Sequence, residues 1–134
     1  NQNNKQDSIL NVPNKLFYTE EHEWADFSGE DVTIGITDFA QSQLGDIVFL
    51  EFPNIGDEVA RGISFGEIEA VKTVSELFAP ISGTITMINE SLEETPEKIN
   101  QDCYGEGWLI KIRPKTPLEK DNLLTSSQYS EIIN

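Results

Sequence analysis

The chain has 134 residues, with 24 acidic and 9 basic side chains, a net charge of −15, one cysteine and one histidine. That length suits one hydrophobic core and a single domain. The negative surface argues against nucleic acid and membranes as partners and in favour of basic protein surfaces. Cys103 alone builds no disulfide framework, so an intracellular, reducing compartment is expected. No apolar run approaches the roughly 20 residues that span a bilayer, and no signal segment opens the chain, so a soluble protein is expected. It begins at Asn1 rather than Met, which implies that something upstream was removed.

Residues 1–11 are polar and rich in Asn and Gln, and read as a flexible arm; residues 12–134 form the domain. After Pro13, short apolar runs broken by Gly, Pro, Asp and Asn predict a mainly β domain. Val32, Ile34 and Ile36 alternate along one face of a strand. Thr37 and Asp38 offer an N-cap, Phe39, Ala40, Gln43 and Leu44 have helical spacing, and Gly45 can close the turn, so a short helix is expected. Residues 47–52 form a dense β-branched and aromatic run that reads as a central strand, ended by the turn Pro53-Asn54-Ile55-Gly56-Asp57.

A compact β unit follows, with strands expected at 57–59, 64–70, 74–78 and 83–88 and its midpoint near Lys72. Residues 89–100 suggest a helical turn broken by Pro96. Residues 107–112 alternate as a last strand. Pro114 and Pro117 make a linker, and residues 118–133 carry apolar side chains at helical intervals, predicting a terminal amphipathic helix.

No catalytic constellation emerges. His22 has no Ser/Asp or Cys pairing that the sequence can argue. Gly62-Ile63-Ser64-Phe65-Gly66 lacks the spacing and the Lys-Ser/Thr pair of a phosphate loop. One Cys and one His fall short of a zinc set. The carboxylates read mostly as solvated surface, so a non-catalytic protein with no metal site is expected.

One segment stands apart. Glu67-Ile68-Glu69-Ala70-Val71-Lys72-Thr73-Val74-Ser75-Glu76 places a lone lysine between two strand-like halves, at an expected hairpin tip. An exposed lysine that can sweep suits a covalently modified carrier arm. Gly56 and Gly83 are expected to supply tight turns at matching ends of the two halves.

These residues, together with Phe17-Tyr18-Thr19-Glu20-Glu21-His22-Glu23-Trp24, Ile34-Gly35-Ile36-Thr37-Asp38-Phe39-Ala40-Gln41, Leu44-Gly45-Asp46-Ile47-Val48-Phe49 and Tyr104-Gly105-Glu106-Gly107-Trp108-Leu109-Ile110-Lys111-Ile112, resemble the glycine cleavage system H proteins. The resemblance runs from about residue 11 to the C-terminus. It departs from the commoner pattern at Ala70, where serine is usual, and at Phe39, where histidine or tyrosine often sits and which makes no polar contact.

The resemblance implies a flattened β-barrel of the barrel-sandwich hybrid type, lipoyl-domain-like, with short helices and a C-terminal helix. It implies lipoate attached to Lys72 as N6-lipoyllysine, with Glu69 and Gly83 framing the hairpin and Glu23 and Glu76 lining a cleft for the arm. His22 and Trp24 would be packing residues and Cys103 a plain thiol. The implied role is a carrier that takes the aminomethyl group from glycine decarboxylase to the aminomethyltransferase, and electrons to lipoamide dehydrogenase. A lipoate ligase or lipoyltransferase would load it. A monomer is expected, in the mitochondrial matrix of a eukaryote or the cytoplasm of a bacterium. The alternatives are an H-like lipoate donor in a lipoylation relay, a lipoyl or biotinyl domain of a 2-oxoacid dehydrogenase or carboxylase, and an unmodified interaction module. Val71-Lys72-Thr73 does not match the acceptor motifs usual in the lipoyl and biotinyl domains.

Overall fold

A computed structural model describes residues 10–134. The arm expected over residues 1–11 lies outside the described residues except at its end. There Asn11 is pinned, its N–H donating to Asp38 Oδ2 (2.9 Å) and its carbonyl accepting from the Tyr104 hydroxyl (2.6 Å).

In chain order the elements are β1 (Phe17–Tyr18), β2 (Glu23–Asp26), β3 (Val32–Ile36), α1 (Asp38–Leu44), β4 (Ile47–Glu51), β5 (Glu58–Val59), β6 (Ser64–Ala70), β7 (Val74–Phe78), β8 (Gly83–Ile88), α2 (Lys98–Gln101), β9 (Ile110–Pro114) and α3 (Ser126–Ile133). Short 3-10 turns occupy Glu90–Glu93 and Pro117–Asn122. The strands make a six-stranded sheet ordered β1-β2-β3-β9-β8-β5 and a three-stranded sheet ordered β4-β6-β7. Every pairing is antiparallel.

One apolar cluster draws on both sheets, with Ile34, Ile85, Ile110 and Ile112 from the larger and Ile47, Leu50, Ile68 and Leu77 from the smaller. The two sheets therefore pack face to face. The mainly β, sandwich-type expectation holds, with short helices and a C-terminal helix, although hydrogen bonding does not close the sheets into a barrel. A second cluster joins Leu16, Tyr18, Trp24 and Tyr129. Trp24 is paired with Gly35, where any Cβ would run into the indole, so the glycine admits the ring.

Local chemistry explains several elements. Thr37 caps α1, its hydroxyl accepting from the Ala40 N–H, and Gly45 ends the helix at φ +81, a conformation that only glycine adopts without strain. Thr125 and Gln128 form a reciprocal capping box on α3.

Three expected elements require correction. Residues 47–52 do not form a central strand: β4 is the edge of the three-stranded sheet, and a bulge after Ile47 leaves Val48 48% and Phe49 57% exposed. The last strand begins at Ile110 rather than Gly107, because Gly107 packs tightly against the backbone of Lys98, Ile99 and Asp102. The terminal helix covers only Ser126–Ile133, since Leu123 is extended at the preceding cap and Leu124 forms a bridge with Tyr18.

Gly83 is not a turn residue either. It opens β8 between Val59 of β5 and Pro114 of β9, where a Cβ would overlap the Arg113 carbonyl oxygen and press on Ile112 Cγ2. Gly56, at φ +98, is a true turn glycine. Because backbone yields less readily than a side-chain end, Gly83→Ala is expected to destabilise the protein by about 2 kcal/mol or more, read as a lower urea midpoint; an unchanged midpoint would reject the close-approach account.

Candidate functional site

The hairpin of β6 and β7 presents Lys72. Glu69 pairs with Val74, the Ala70 N–H donates to the Thr73 carbonyl (2.8 Å), and Val71, Lys72 and Thr73 are exposed. The tip uses neither glycine nor a positive φ. A further bond, from the Val71 N–H to the Asp46 carbonyl (3.0 Å), ties it to the loop before β4. The backbone below the lysine is thus held from two directions while its side chain stays open to solvent.

A cleft of about 320 Å³ lies beside β2 and the far end of this hairpin, lined in part by Thr19, Glu23, Arg61, Phe78, Pro80 and Leu123. Glu23, on β2, is 2% exposed. Its Oε1 accepts from the Thr19 hydroxyl (2.6 Å) and its Oε2 from the Phe78 N–H at the free edge of β7 (3.0 Å). Burial dominates its titration and pushes the carboxyl from 4.5 to about 7, against the two hydrogen bonds, which favour the ionised form, while Glu21 adds to the rise. The group therefore changes charge near neutrality, at a position where it can accept a cationic amine.

The loop leading to Glu23 is a three-residue hairpin turn. The Thr19 N–H reaches the Glu23 carbonyl (3.0 Å), the His22 N–H reaches the Thr19 carbonyl (3.1 Å), and His22 takes a left-handed φ of 75°. That conformation aims its ring at the C-terminal helix: Nδ1 lies 2.8 Å from the Tyr129 hydroxyl, which is also 2.7 Å from Thr37 Oγ1. The ring also packs 4.9 Å from Phe39. Trp24 is buried and its Nε1–H donates to the Cys103 carbonyl (3.1 Å). Burial lowers the titration of His22 and raises that of the Cys103 thiol to about 12, leaving the thiol protonated and inert near neutrality.

The expected site residues are not all brought together. Lys72 and Glu69 share the hairpin. Glu23 lines the cleft, but Glu76 stands on the exposed outer face of β7, outside the cleft lining. Strand alternation explains this, since Glu76 pairs with the exposed Glu67 while the neighbouring Leu77 turns inward. Gly83 belongs to the six-stranded sheet and frames β8 against β9, not the hairpin. Sequence reading missed Arg61 at the cleft and Tyr129 as the partner of His22; both are remote in sequence from the motifs they complete.

Residues 16–134 match the family described as "Glycine cleavage H-protein". The chain belongs to that family. A glycine cleavage system H protein of Geobacillus thermodenitrificans is 54% identical over 125 residues, covering 93% of this chain and 98% of its own length. One from Anaeromyxobacter sp. (strain K) is 48% identical over 124 residues, covering 92% and 97%. The crystal structure of a glycine cleavage system H protein from Mycobacterium marinum aligns at a TM-score of 0.82 and 40% identity, over 90% of this chain and 97% of that one. As an H-family protein the chain is a non-catalytic lipoyl carrier of the glycine cleavage system, which sets aside the 2-oxoacid dehydrogenase and carboxylase alternatives. The relatives are bacterial, and nothing in them supports a mitochondrial location.

The buried carboxyl makes stability depend on pH. Between pH 4.5 and about 7 the folded Glu23 holds a proton that the unfolded chain has released, so its contribution falls as pH rises through that window and is constant above it. Relative to Glu23→Gln, the wild type is expected to lose up to about 3 kcal/mol of unfolding free energy across the window. Urea titrations at a series of pH values measure this, and parallel profiles for the two proteins would contradict it.

Proposed function

We propose that Lys72 carries the lipoyl group in amide linkage and that the Glu23 cleft receives the loaded arm. The observation that carries this reading is the exposed amine on a tip whose backbone is bonded at Ala70 and Val71. The group fits there: the tip is open, and among the described residues no carboxylate lies within ion-pair distance of the lysine. Lipoate supplies a dithiolane that can be reduced, loaded and reoxidised, while the protein supplies tether and orientation.

The residues of the chain divide the remaining tasks. Thr19 and the Phe78 N–H orient the Glu23 carboxylate, leaving its other lone pairs for a cation entering the cleft. Phe78, Pro80 and Leu123 give the cleft apolar walls that limit water around that pair. An arm moving between Lys72-centred reach and this cleft would serve glycine decarboxylase, the aminomethyltransferase and lipoamide dehydrogenase in turn, after loading by a lipoate ligase or lipoyltransferase. Glu69, next to the tip, is placed to be read by the loading enzyme. The bacterial origin of the relatives supports the cytoplasm as the compartment.

Incubation with lipoate ligase, lipoate and ATP should add one lipoyl group to the wild type by intact mass and none to Lys72→Arg, because a guanidinium is a poor acyl acceptor. A lipoylated variant would refute the attachment site. Once lipoylated and given the aminomethyl group of glycine by the decarboxylase, with the glycine carboxyl leaving as carbon dioxide, Glu23→Gln should release ammonia several-fold faster than wild type above pH 7, the loss of an ion pair worth on the order of 1 kcal/mol. In the wild type that protection should fade as pH drops through the titration of Glu23, and Glu23→Gln should lack the pH dependence. Equal release rates at every pH would remove Glu23 from the proposal.

A further inference from the structure

We propose that the outer face of the β4-β6-β7 sheet is the docking surface for the enzyme that acylates Lys72, met by a basic partner face with an apolar socket for Phe49. The inference rests on Lys72 being the attachment point.

The strand register organises this face into two rows. Glu51 pairs with Glu67 and Glu67 with Glu76, so three exposed carboxylates stand side by side across all three strands. One pleat nearer the tip, Phe49 pairs with Glu69 and Glu69 with Val74. Directly opposed like charges weaken strand pairing, and among the described residues no Lys or Arg forms an ion pair with any of these four glutamates. Beside them Val48 is 48%, Phe49 57%, Val71 70% and Val74 55% exposed, half of the exposed large apolar side chains described. The inward residues of the same strands, Leu50 and Ile68, are buried as an ordinary core. The outer face therefore sets Phe49 and Val74 on either side of Glu69 in the row nearer Lys72, backed by a row of three carboxylates, and among the described residues no basic side chain pairs with either row.

Charge complementarity points to a partner face of Arg and Lys around an apolar recess. Position points to the acylating enzyme. An enzyme acting on a finished arm meets it away from the tip, in the cleft or extended into solvent. The enzyme that installs it finds only a short tip, and must grip the rigid hairpin body to bring the lysine Nζ to its acyl donor.

The test uses the unlipoylated full chain as substrate for a lipoate ligase with lipoate and ATP, measuring KM and kcat for the protein at low and high salt. Glu51→Gln/Glu67→Gln should raise KM about five-fold and flatten its rise with salt, with kcat little changed. Phe49→Ser should also raise KM. The double glutamine variant relieves repulsion, so its unfolding midpoint should not fall below wild type. Glu30→Gln/Glu131→Gln, which removes the same charge from exposed positions elsewhere, should leave KM unchanged. An unchanged KM in the first pair, or an equal change in the control pair, would overturn the docking surface. A raised KM for the decarboxylase in glycine–bicarbonate exchange, without one for the ligase, would overturn the assigned occupant. Lys72→Arg separates the two readings: its lipoylation at the wild-type rate defeats the attachment site, whereas an inert Lys72→Arg beside an unaltered Glu51→Gln/Glu67→Gln defeats the docking surface alone.

Discussion

Glu23 joins the two sheets through one carboxylate. It belongs to β2 in the larger sheet, yet one of its oxygens takes the Phe78 N–H at the open edge of β7 in the smaller. That edge group would otherwise lack a strand partner, and Glu23 supplies one while the Thr19 hydroxyl holds its other oxygen. The hairpin bearing Lys72 is thus braced at its base by a group that titrates near neutrality because it is buried. Architecture and site are coupled here: the carboxylate that takes the β7 edge amide also lines the cleft.

The turn that delivers Glu23 has a second function through His22. A left-handed position after a tight turn is commonly glycine, because a Cβ is strained there. A histidine at this point gains a hydrogen bond to Tyr129, which also contacts Thr37 at the start of α1. The C-terminal helix is therefore fastened to the same turn that shapes the cleft, and Leu123 and Leu124 before that helix line the cleft. Histidine in this fold is structural, consistent with a carrier whose chemistry resides in an attached group.

The three-stranded sheet divides its two faces sharply. Ile68, Leu50 and Leu77 point into the shared core, while the other side holds glutamates and exposed apolar residues around the lysine. A fold alone has no use for unpaired like charges in register. Their presence beside the lysine is understandable if the face is read by another protein, and the edge position of β4 keeps Phe49 accessible to it.

Much of this was legible in the chain. Thr37 and Gly45 announced α1 because capping is local, and the alternation of Val32, Ile34 and Ile36 announced β3 because period two is local. Lys72 could be placed at a hairpin tip for the same reason, since strand-like runs on either side leave only a short connection. What only the tertiary structure decided depends on contacts distant in sequence. The dense run at 47–52 looked central, but strand order made it an edge. Gly83 looked like a turn, but a neighbouring carbonyl excludes its Cβ. Glu23 and Glu76 looked equivalent as carboxylates, and the fold buried one against a β7 amide while turning the other to solvent. Composition and spacing determine which elements form and where the lysine stands; burial, register and hydrogen-bond partners are properties of the packed sheets, and they alone assign each carboxylate its surroundings.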